Sequence, residues 1–287
     1  MYGCSVVIAT CNRWRSLTRT LDKLTALPER PDVIVVDNAS NDGTLANVRA
    51  THPSVRALSM RSNVGAAARN VGAVVAATRY VAFCDDDCWW EPGALARASE
   101  LLDRHHDVAL LNARVIVDGD RLDEPCALMA ASRIPKRGAC PGRAIAQFMA
   151  GAAIVRRDAF LEIGGFHRRY HLGAEESLAA LDLLERGWQL IYDPQLVLHH
   201  VPYRAGRRPY DRRVVVTRNR LWTAWLRHSS GAAWRATVAL ARRVPYDPVA
   251  RDALARAIVG LPWIVRERRQ VRPDVERLLA LLAELPA

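Results

Sequence analysis

Short apolar runs alternate with longer amphipathic stretches from the start of the chain, and the runs end on polar clusters. Val6-Val7-Ile8 reads as a buried strand, followed by a helical stretch from Trp14 to Leu27. A second strand over Val33-Ile34-Val35-Val36 ends at Asp37, a helix starts at about Gly43, a short strand runs from about Val55 to Met60, and a helix follows from about Gly65 to Ala77. The next strand, Tyr80-Val81-Ala82-Phe83-Cys84, stops at Asp85-Asp86-Asp87. This alternation predicts an α/β fold: a mostly parallel sheet flanked by helices on both faces. Ligands of such sheets gather at the carboxyl ends of the strands. Thr10 to Arg13, Asp37 to Ser40, Arg61 to Asn63 and the aspartates all fall there.

After an apolar stretch at Val108 to Val117, the pattern loosens between Asp118 and Gly142, with Pro125, Pro135, Gly138, Pro141 and Gly142. A loop this long inside a domain is expected to wall or cover a site. Gly151 to Val155 then reads as a strand, Gly164-Gly165-Phe166 as a turn, and Glu175 to Arg186 as an amphipathic helix ended by Gly187. Two further apolar runs, Trp188 to Tyr192 and Leu196 to Leu198, lead into His199-His200. From about residue 204 the character changes, with eleven arginines and one aspartate between Arg204 and Arg243, interleaved with Trp222, Trp225 and Trp234. The region beyond about Asp247 reads as more helix, with Leu278, Leu279, Leu281 and Leu282 as core contacts. The expected division is a catalytic α/β unit over 1–203, with halves 1–118 and 119–203, and a basic helical appendage over 204–287.

Composition sharpens this picture at three points. A chain of 287 residues has room for a real core. Its net charge of +11 and pI near 10.0 ask for an anionic partner, although an Arg- and Ala-heavy composition also follows from a GC-rich genome; of 41 basic residues only Lys23 and Lys136 are lysine. The longest apolar stretch, Ala257 to Val265, contains Pro262 and is far short of the roughly 20 residues of a spanning helix. With no charged and apolar leader before the first strand, the expectation is a cytoplasmic protein that does not cross the bilayer. Cysteines at 4, 11, 84, 88, 126 and 140 form no CxxC pair, which predicts reduced thiols and no zinc site. The arginine-rich, tryptophan-studded segment lies either on an anionic membrane surface or nucleic acid, or packs its tryptophans on the main domain.

Three carboxylates at one strand end need a cation nearby. Strand alternation puts Asp85 and Asp87 on one side, where they are placed to share a divalent ion, and leaves Asp86 for another partner. The plainer alternative is an acidic turn ahead of a helix beginning near Glu91-Pro92. Asp37 is placed to accept hydrogen bonds from a base edge, and Arg13, Arg61 and Arg69 to approach phosphates, though each alone also serves as a cap or turn residue.

Taken in order, these motifs resemble family 2 glycosyltransferases of GT-A fold, in a rhamnosyltransferase-like or galactofuranosyltransferase-like subgroup. The resemblance rests on Ser5 to Arg13, Val35 to Thr44 with Asp37-Asn38-Ala39-Ser40, Asn63-Val64-Gly65 with Ala68-Arg69-Asn70, the aspartates, Gly164-Gly165-Phe166, Glu175-Glu176, Gly187, Pro194 and His200, and covers about residues 3 to 203. It implies an inverting, metal-dependent transfer of a sugar from a nucleotide diphosphate donor, a UDP- or dTDP-sugar, to a glycan or lipid-linked acceptor. Thr10, Asn12, Arg13, Asp37, Asn38, Asn63, Gly65, Arg69, Asn70, Asp85 and Asp86 are then expected to bind the donor. Asp85, Asp87 and His200 would hold Mg²⁺ or Mn²⁺, with His199 as a rival to His200.

By the same resemblance Glu176 is the general base, with Glu175 as its substitute. A helix N-terminus favours the ionised carboxylate. Relatives carry Glu-Asp here, so this side chain is one methylene longer than the pattern. Trp89 and Trp90 are placed either to stack on an acceptor sugar or to pack in the core. A nucleotidyltransferase would need a Gly-rich phosphate loop after the first strand, which this chain lacks, and a processive synthase would need membrane spans. The remaining alternative is a non-catalytic protein of the same fold that binds membrane or nucleic acid through its basic C-terminal helices, nucleic acid being the less expected of the two. Peripheral contact with the inner face of the cell membrane is the expectation that accompanies a lipid-linked acceptor.

Overall fold

The computed structural model describes residues 3–202 and 209–283, the side chains of 209 and 280–283 excepted. The expected boundary between 203 and 204 and the side chains of Leu281 and Leu282 lie outside the described residues. Parallel strands β1 (Cys4–Thr10), β2 (Asp32–Asp37) and β3 (Arg56–Ser59) alternate with helices α1 (Trp14–Thr25), α2 (Thr44–Thr51) and α3 (Ala68–Val75), and lead to β4 (Tyr80–Cys84). A short strand β5 (Cys88–Trp90), helix α4 (Ala94–Arg104) and the long strand β6 (Val108–Val117) follow. Next come β7 (Arg121–Leu122), α5 (Glu124–Ala130), β8 (Arg143–Ile145), β9 (Ala153–Arg156), α6 (Arg157–Glu162), α7 (Glu175–Glu185) and β10 (Gln189–His200). The chain continues as helices α8 (Pro209–Arg227), α9 (Ser230–Ala241), α10 (Pro248–Val259), α11 (Leu261–Glu267) and α12 (Pro273–Ala283).

All the main strands join one sheet in the order β3-β2-β1-β4-β9-β6-β10-β5, with β7 on β6 and β8 on β10. The β3-β2-β1-β4 half is parallel, as the alternation of elements predicts. Beyond it, β9 runs antiparallel between β4 and β6, while β6 and β10 pair in parallel and β5 returns antiparallel on β10. The two apolar runs at Trp188 to Leu198 belong to one strand, β10, which pairs along β6 with a register shift between Asp193 and Val197. Val6, Val7 and Ile8 are fully buried because β1 is an inner strand covered on both faces. Each such side chain contributes about 1.5–3 kcal/mol of burial.

Phe83 of β4, Phe160 of α6 and Phe166 pack as a trio with ring centroids 5.0, 5.1 and 5.5 Å apart. This locks the strand that ends in the aspartates to the Gly164-Gly165-Phe166 turn. A second core joins Tyr170 and Leu178 to Leu221, Trp222, Leu226, Leu240, Trp263 and Ile264. Helix α8 is fastened to α7 by Arg227, whose Nε and Nη2 donate to the two carboxylate oxygens of buried Asp182 at 2.6 and 3.0 Å. Val271 and Val275 join the main core, with Leu278 and Leu279 partly buried against it. No helix among the described residues is long and apolar enough to cross a membrane.

Candidate active site

The parallel register sets Thr10 beside Asp37 and Ile8 beside Cys84, so the β1, β2 and β4 ends open on one edge. A cleft of about 480 Å³ lies there, lined by Thr10, Asn12, Arg13, Asn38, Asn63, Gly65 and Arg69, by Asp85 to Asp87, and by His171 and Leu172 from across the opening. Asn38 braces the far lip, accepting from Val64 N (2.9 Å) and donating to Gly65 O (3.0 Å). Asn12 accepts from Asn41 N (2.8 Å), tying the first strand end to the second. Asp37 is buried; Oδ2 accepts from Ser40 N (3.2 Å) while Oδ1 has no partner.

The three aspartates take three different roles. Strand β4 ends at Cys84, so alternation no longer governs them. Asp86 is buried, accepts from the Thr10 hydroxyl (2.8 Å) and pairs with Arg13 Nε (2.9 Å). Burial pushes its carboxyl up to about 6 against the pull of Arg13 and Thr10. Asp87, its side chain only 6% exposed, pairs with Arg13 Nη2 (2.6 Å) and lies 3.5 Å from His200 Nε2. Asp85 turns to Arg69, and its side chain is 44% exposed to the cleft.

Tertiary pairing brings His200 to this point. β5 follows the aspartates directly and pairs Cys88 with His200. Asp87, Cys88 and His200 consequently offer ligand atoms within 4.8 Å of one another, and Asp85 is not in that group. Cys88 is buried and its thiol is pushed well up, first by burial, so it stays protonated. Asp87 and His200 are a hard carboxylate and an imidazole, a donor pair that fits a divalent ion such as Mn²⁺ better than Mg²⁺. Hydrogen bonding to Asp87 raises the His200 pKa, so an ion there competes with a proton. His199 points away and stacks on Trp89 at 5.6 Å, while Trp90 is fully buried.

Opposite the aspartates, α7 begins with Glu175 and Glu176 after Ala174, which takes a left-handed conformation (φ 60°) and provides no side-chain cap. Glu175 is buried with Oε2 unpartnered. The helix N-terminus was expected to keep Glu176 ionised; burial and then the adjacent Glu175 charge outweigh it and push Glu176 up to about 8. Arg69 sits between the two sides. Burial works against its charge, but Asp85, Glu175 and Glu176 hold its guanidinium above the usual range. The loop before α7 is held from α8, where Asn219 Nδ2 donates to Tyr170 O (2.9 Å) and Gly173 O (2.6 Å). Behind Glu176 a second cavity, of about 660 Å³, is lined by Leu128, Met129, Phe148, Met149 and Leu181, with Arg220 and His228 on its polar side.

Glu176 lines the second cavity and Asp37, Glu175 and His200 line neither, whereas Thr10, Asn12, Arg13, Asn38, Asn63, Gly65, Arg69 and Asp85 to Asp87 meet at the one cleft. Asn70 does not line it: its side chain accepts from Phe166 N (2.9 Å) and donates to Phe166 O (2.8 Å), tying α3 to the turn. Arg61 is exposed and also outside the lining. Arg13, expected at phosphates, is engaged by Asp86 and Asp87. Gly151 falls outside the strand expected over Gly151 to Val155 and lies in a tight turn, where a Cβ would come within 2.6 Å of the Asp85 carboxylate. His171, Leu172 and Asn219 carry no local sequence signal, since only folding brings them to the cleft or its wall.

The family model described as Glycosyl transferase family 2 matches residues 5–164. The chain is similar to N-acetylglucosaminyl-diphospho-decaprenol L-rhamnosyltransferase of Mycobacterium tuberculosis, at 28% identity over 240 residues, which is 71% of this chain and 78% of that protein. Among solved structures it resembles mannosyltransferase PcManGT from Pyrobaculum calidifontis in complex with GDP-Man and Mn²⁺, with a TM-score of 0.60 at 20% identity over 98% of this chain and 86% of that one. It also resembles GalNAc-T7 with UDP, GalNAc and Mn²⁺, with a TM-score of 0.65 at 15% identity over 92% and 56% of the two chains. At these identities the structural likenesses speak for the fold alone.

Proposed function

Because the chain belongs to glycosyl transferase family 2 and carries the GT-A fold, we propose that it is an inverting glycosyltransferase, moving a sugar from a nucleotide diphosphate to the hydroxyl of a lipid-linked glycan. The observation that carries the reading is the position of Arg69, paired with Asp85 on one side and electrostatically coupled to Glu175 and Glu176 on the other. This supports reading the aspartates and the candidate base as parts of one site, linked through Arg69. The unpartnered, buried Oδ1 of Asp37 suits the imide N–H of a uracil or thymine base.

Asp87 and His200 would hold a divalent ion, with Asp85 as a more exposed carboxylate in the same cleft. Such an ion, when bound, neutralises charge on the leaving diphosphate as a Lewis acid. In transfer, the acceptor oxygen forms a bond to the anomeric carbon while the bond to the diphosphate oxygen breaks and its electron pair leaves with the nucleotide. The acceptor proton passes to Glu176, which must be ionised to take it. Glu176 also lines the apolar cavity, whose aliphatic wall and Arg220 suit an apolar chain bearing a phosphate. That arrangement is compatible with the diphospho-decaprenol-linked sugar in the rhamnosyltransferase's name, and the Asp37-Asn38-Ala39-Ser40 motif favours rhamnose or galactofuranose as the sugar. The proposed catalytic unit is residues 1–203, with α8 completing the acceptor cavity through Arg220, working at the cytoplasmic face of a membrane.

Calorimetric titration against UDP, dTDP, GDP and CDP, each with and without Mn²⁺, tests the donor half. The expected result is metal-dependent binding of UDP or dTDP, and no binding of any diphosphate would remove the reading. Inversion is checked by the anomeric coupling constant of the product, where retention would exclude Glu176 as a base acting on the acceptor.

A further inference from the structure

The basic segment marked by the sequence uses much of its aromatic surface internally. Trp222 is buried and donates to Ala257 O (3.0 Å), and half-buried Trp225 donates to Thr237 Oγ1 (2.8 Å), although Trp234 stays exposed. A larger exposed apolar surface lies further along, where α10 runs into α11. Gly260 keeps helical dihedrals (φ −79°, ψ −12°) and Ile264 N donates to Gly260 O (3.2 Å), so the two helices follow nearly one course. Pro262, lacking an N–H, breaks the hydrogen-bond ladder between them.

Along that course Ile258, Leu261, Pro262 and Val265 recur three and four residues apart, the spacing of one helix face. The face is turned to water. Ile258 is 52% exposed, Leu261 39% and Val265 74%, and neighbouring Val259 is 81% exposed. The opposite side is fixed to the fold by buried Ala257, Trp263 and Ile264. It is held so closely that a Cβ on Gly260 would lie 2.7 Å from the Trp222 ring. The stripe is thus a rigid surface feature. Contiguous exposed aliphatic groups on a pinned helix mark an interaction site.

Charge identifies the occupant. Arg256 and Arg266 are exposed beside the stripe. The acidic neighbours are already engaged, Asp252 by Tyr210 and Arg251, and Glu267 by His167. An apolar stripe rimmed by arginine is complementary to an acyl layer under anionic headgroups, and two such +11 chains would repel if it paired with a second copy.

We propose that the α10–α11 junction docks on an anionic lipid bilayer, with Ile258, Val259, Leu261 and Val265 entering the acyl boundary and Arg256 and Arg266 meeting headgroup phosphates. The proposal deepens the lipid-linked-acceptor reading by naming the surface that reaches the membrane. Its test uses no donor and no acceptor, so either reading can fail alone.

The full chain is sedimented with vesicles of equal parts phosphatidylglycerol and phosphatidylcholine, and with phosphatidylcholine alone. Binding to the anionic vesicles is expected, weakening with salt. Val259→Glu/Val265→Glu should lose it by at least about tenfold, with an unchanged unfolding temperature and unchanged UDP or dTDP binding. Val259→Ser/Val265→Ser, which adds no charge, should weaken it less, and Arg256→Gln/Arg266→Gln should remove much of the salt dependence. Absence of vesicle binding, full binding by both valine double variants, or a concentration-dependent dimer broken by Val259→Glu would each overturn the proposal. Binding of single-stranded nucleic acid that Val259→Glu/Val265→Glu abolishes would assign the surface to another partner.

Discussion

Strand ends hold the floor of the cleft, where backbone pairing of adjacent parallel strands sets Thr10 beside Asp37 and Ile8 beside Cys84. The wall that carries Glu175 and Glu176 is held differently. Its loop hangs on side-chain hydrogen bonds from Asn219, which reaches back 46 residues to Gly173. Many repeated backbone bonds define the floor, so a single substitution there removes chemistry and leaves the scaffold. The wall depends on a few bonds from a separate helical layer, so a change remote from the cleft can move the base without touching the donor side.

The largest effect should come from the floor. Asp87→Ala is expected to abolish metal-dependent diphosphate binding and to lower turnover by about a thousandfold or more. Calorimetry with and without Mn²⁺ checks this, and retained metal-dependent binding would separate Asp87 from the ion. On the wall, Glu176→Gln should cost about 10²–10⁴ in transfer while diphosphate affinity is kept. If both fall together, the division into floor and wall is lost.

Asn219→Ala sharpens the comparison further, because it touches neither substrate. It leaves the Gly173 carbonyl short of a donor, for about 1–3 kcal/mol of stability, while the Tyr170 carbonyl keeps Leu172 N and Arg218 Nη2. The expected kinetic signature is a fall in kcat of about tenfold with unchanged diphosphate affinity; Asn219→Asp, which cannot donate to both carbonyls, should not restore it. The smallest effect concerns pH. Burial raises the Glu176 pKa to about 8, so the ionised base becomes scarcer as pH falls. The kcat/KM profile should rise through about pH 8 and drop by about fivefold from pH 8 to pH 7. Glu176→Asp should move that limb, and an unmoved limb would assign it to another group.

The legible part of the site was the part made locally. Thr10, Asp37 and the Asp85 triplet each end an apolar run, and a parallel sheet delivers such ends to one edge whatever its further connections. The choice of His200 over His199 was also open to strand alternation, since paired strands direct consecutive side chains to opposite faces. Asp85 to Asp87 lie beyond the end of the strand, where turn geometry takes over from alternation.

By itself, then, the order of hydrophobic and polar positions determined the α/β fold, the edge on which the site opens and the residue types offered there. Those properties depend on periodicity and chain order, which a linear pattern carries. Only the tertiary structure decided that β9 enters antiparallel between β4 and β6, that Asp85 pairs with Arg69 while Asp87 meets His200, and that Asn219 steadies the loop before Glu175. It also decided that the exposed apolar surface of the C-terminal helices centres on Ile258 to Val265, with Trp222 drawn into the core. These depend on which surfaces meet after the chain closes, and packing between distant segments leaves no periodic trace along the chain.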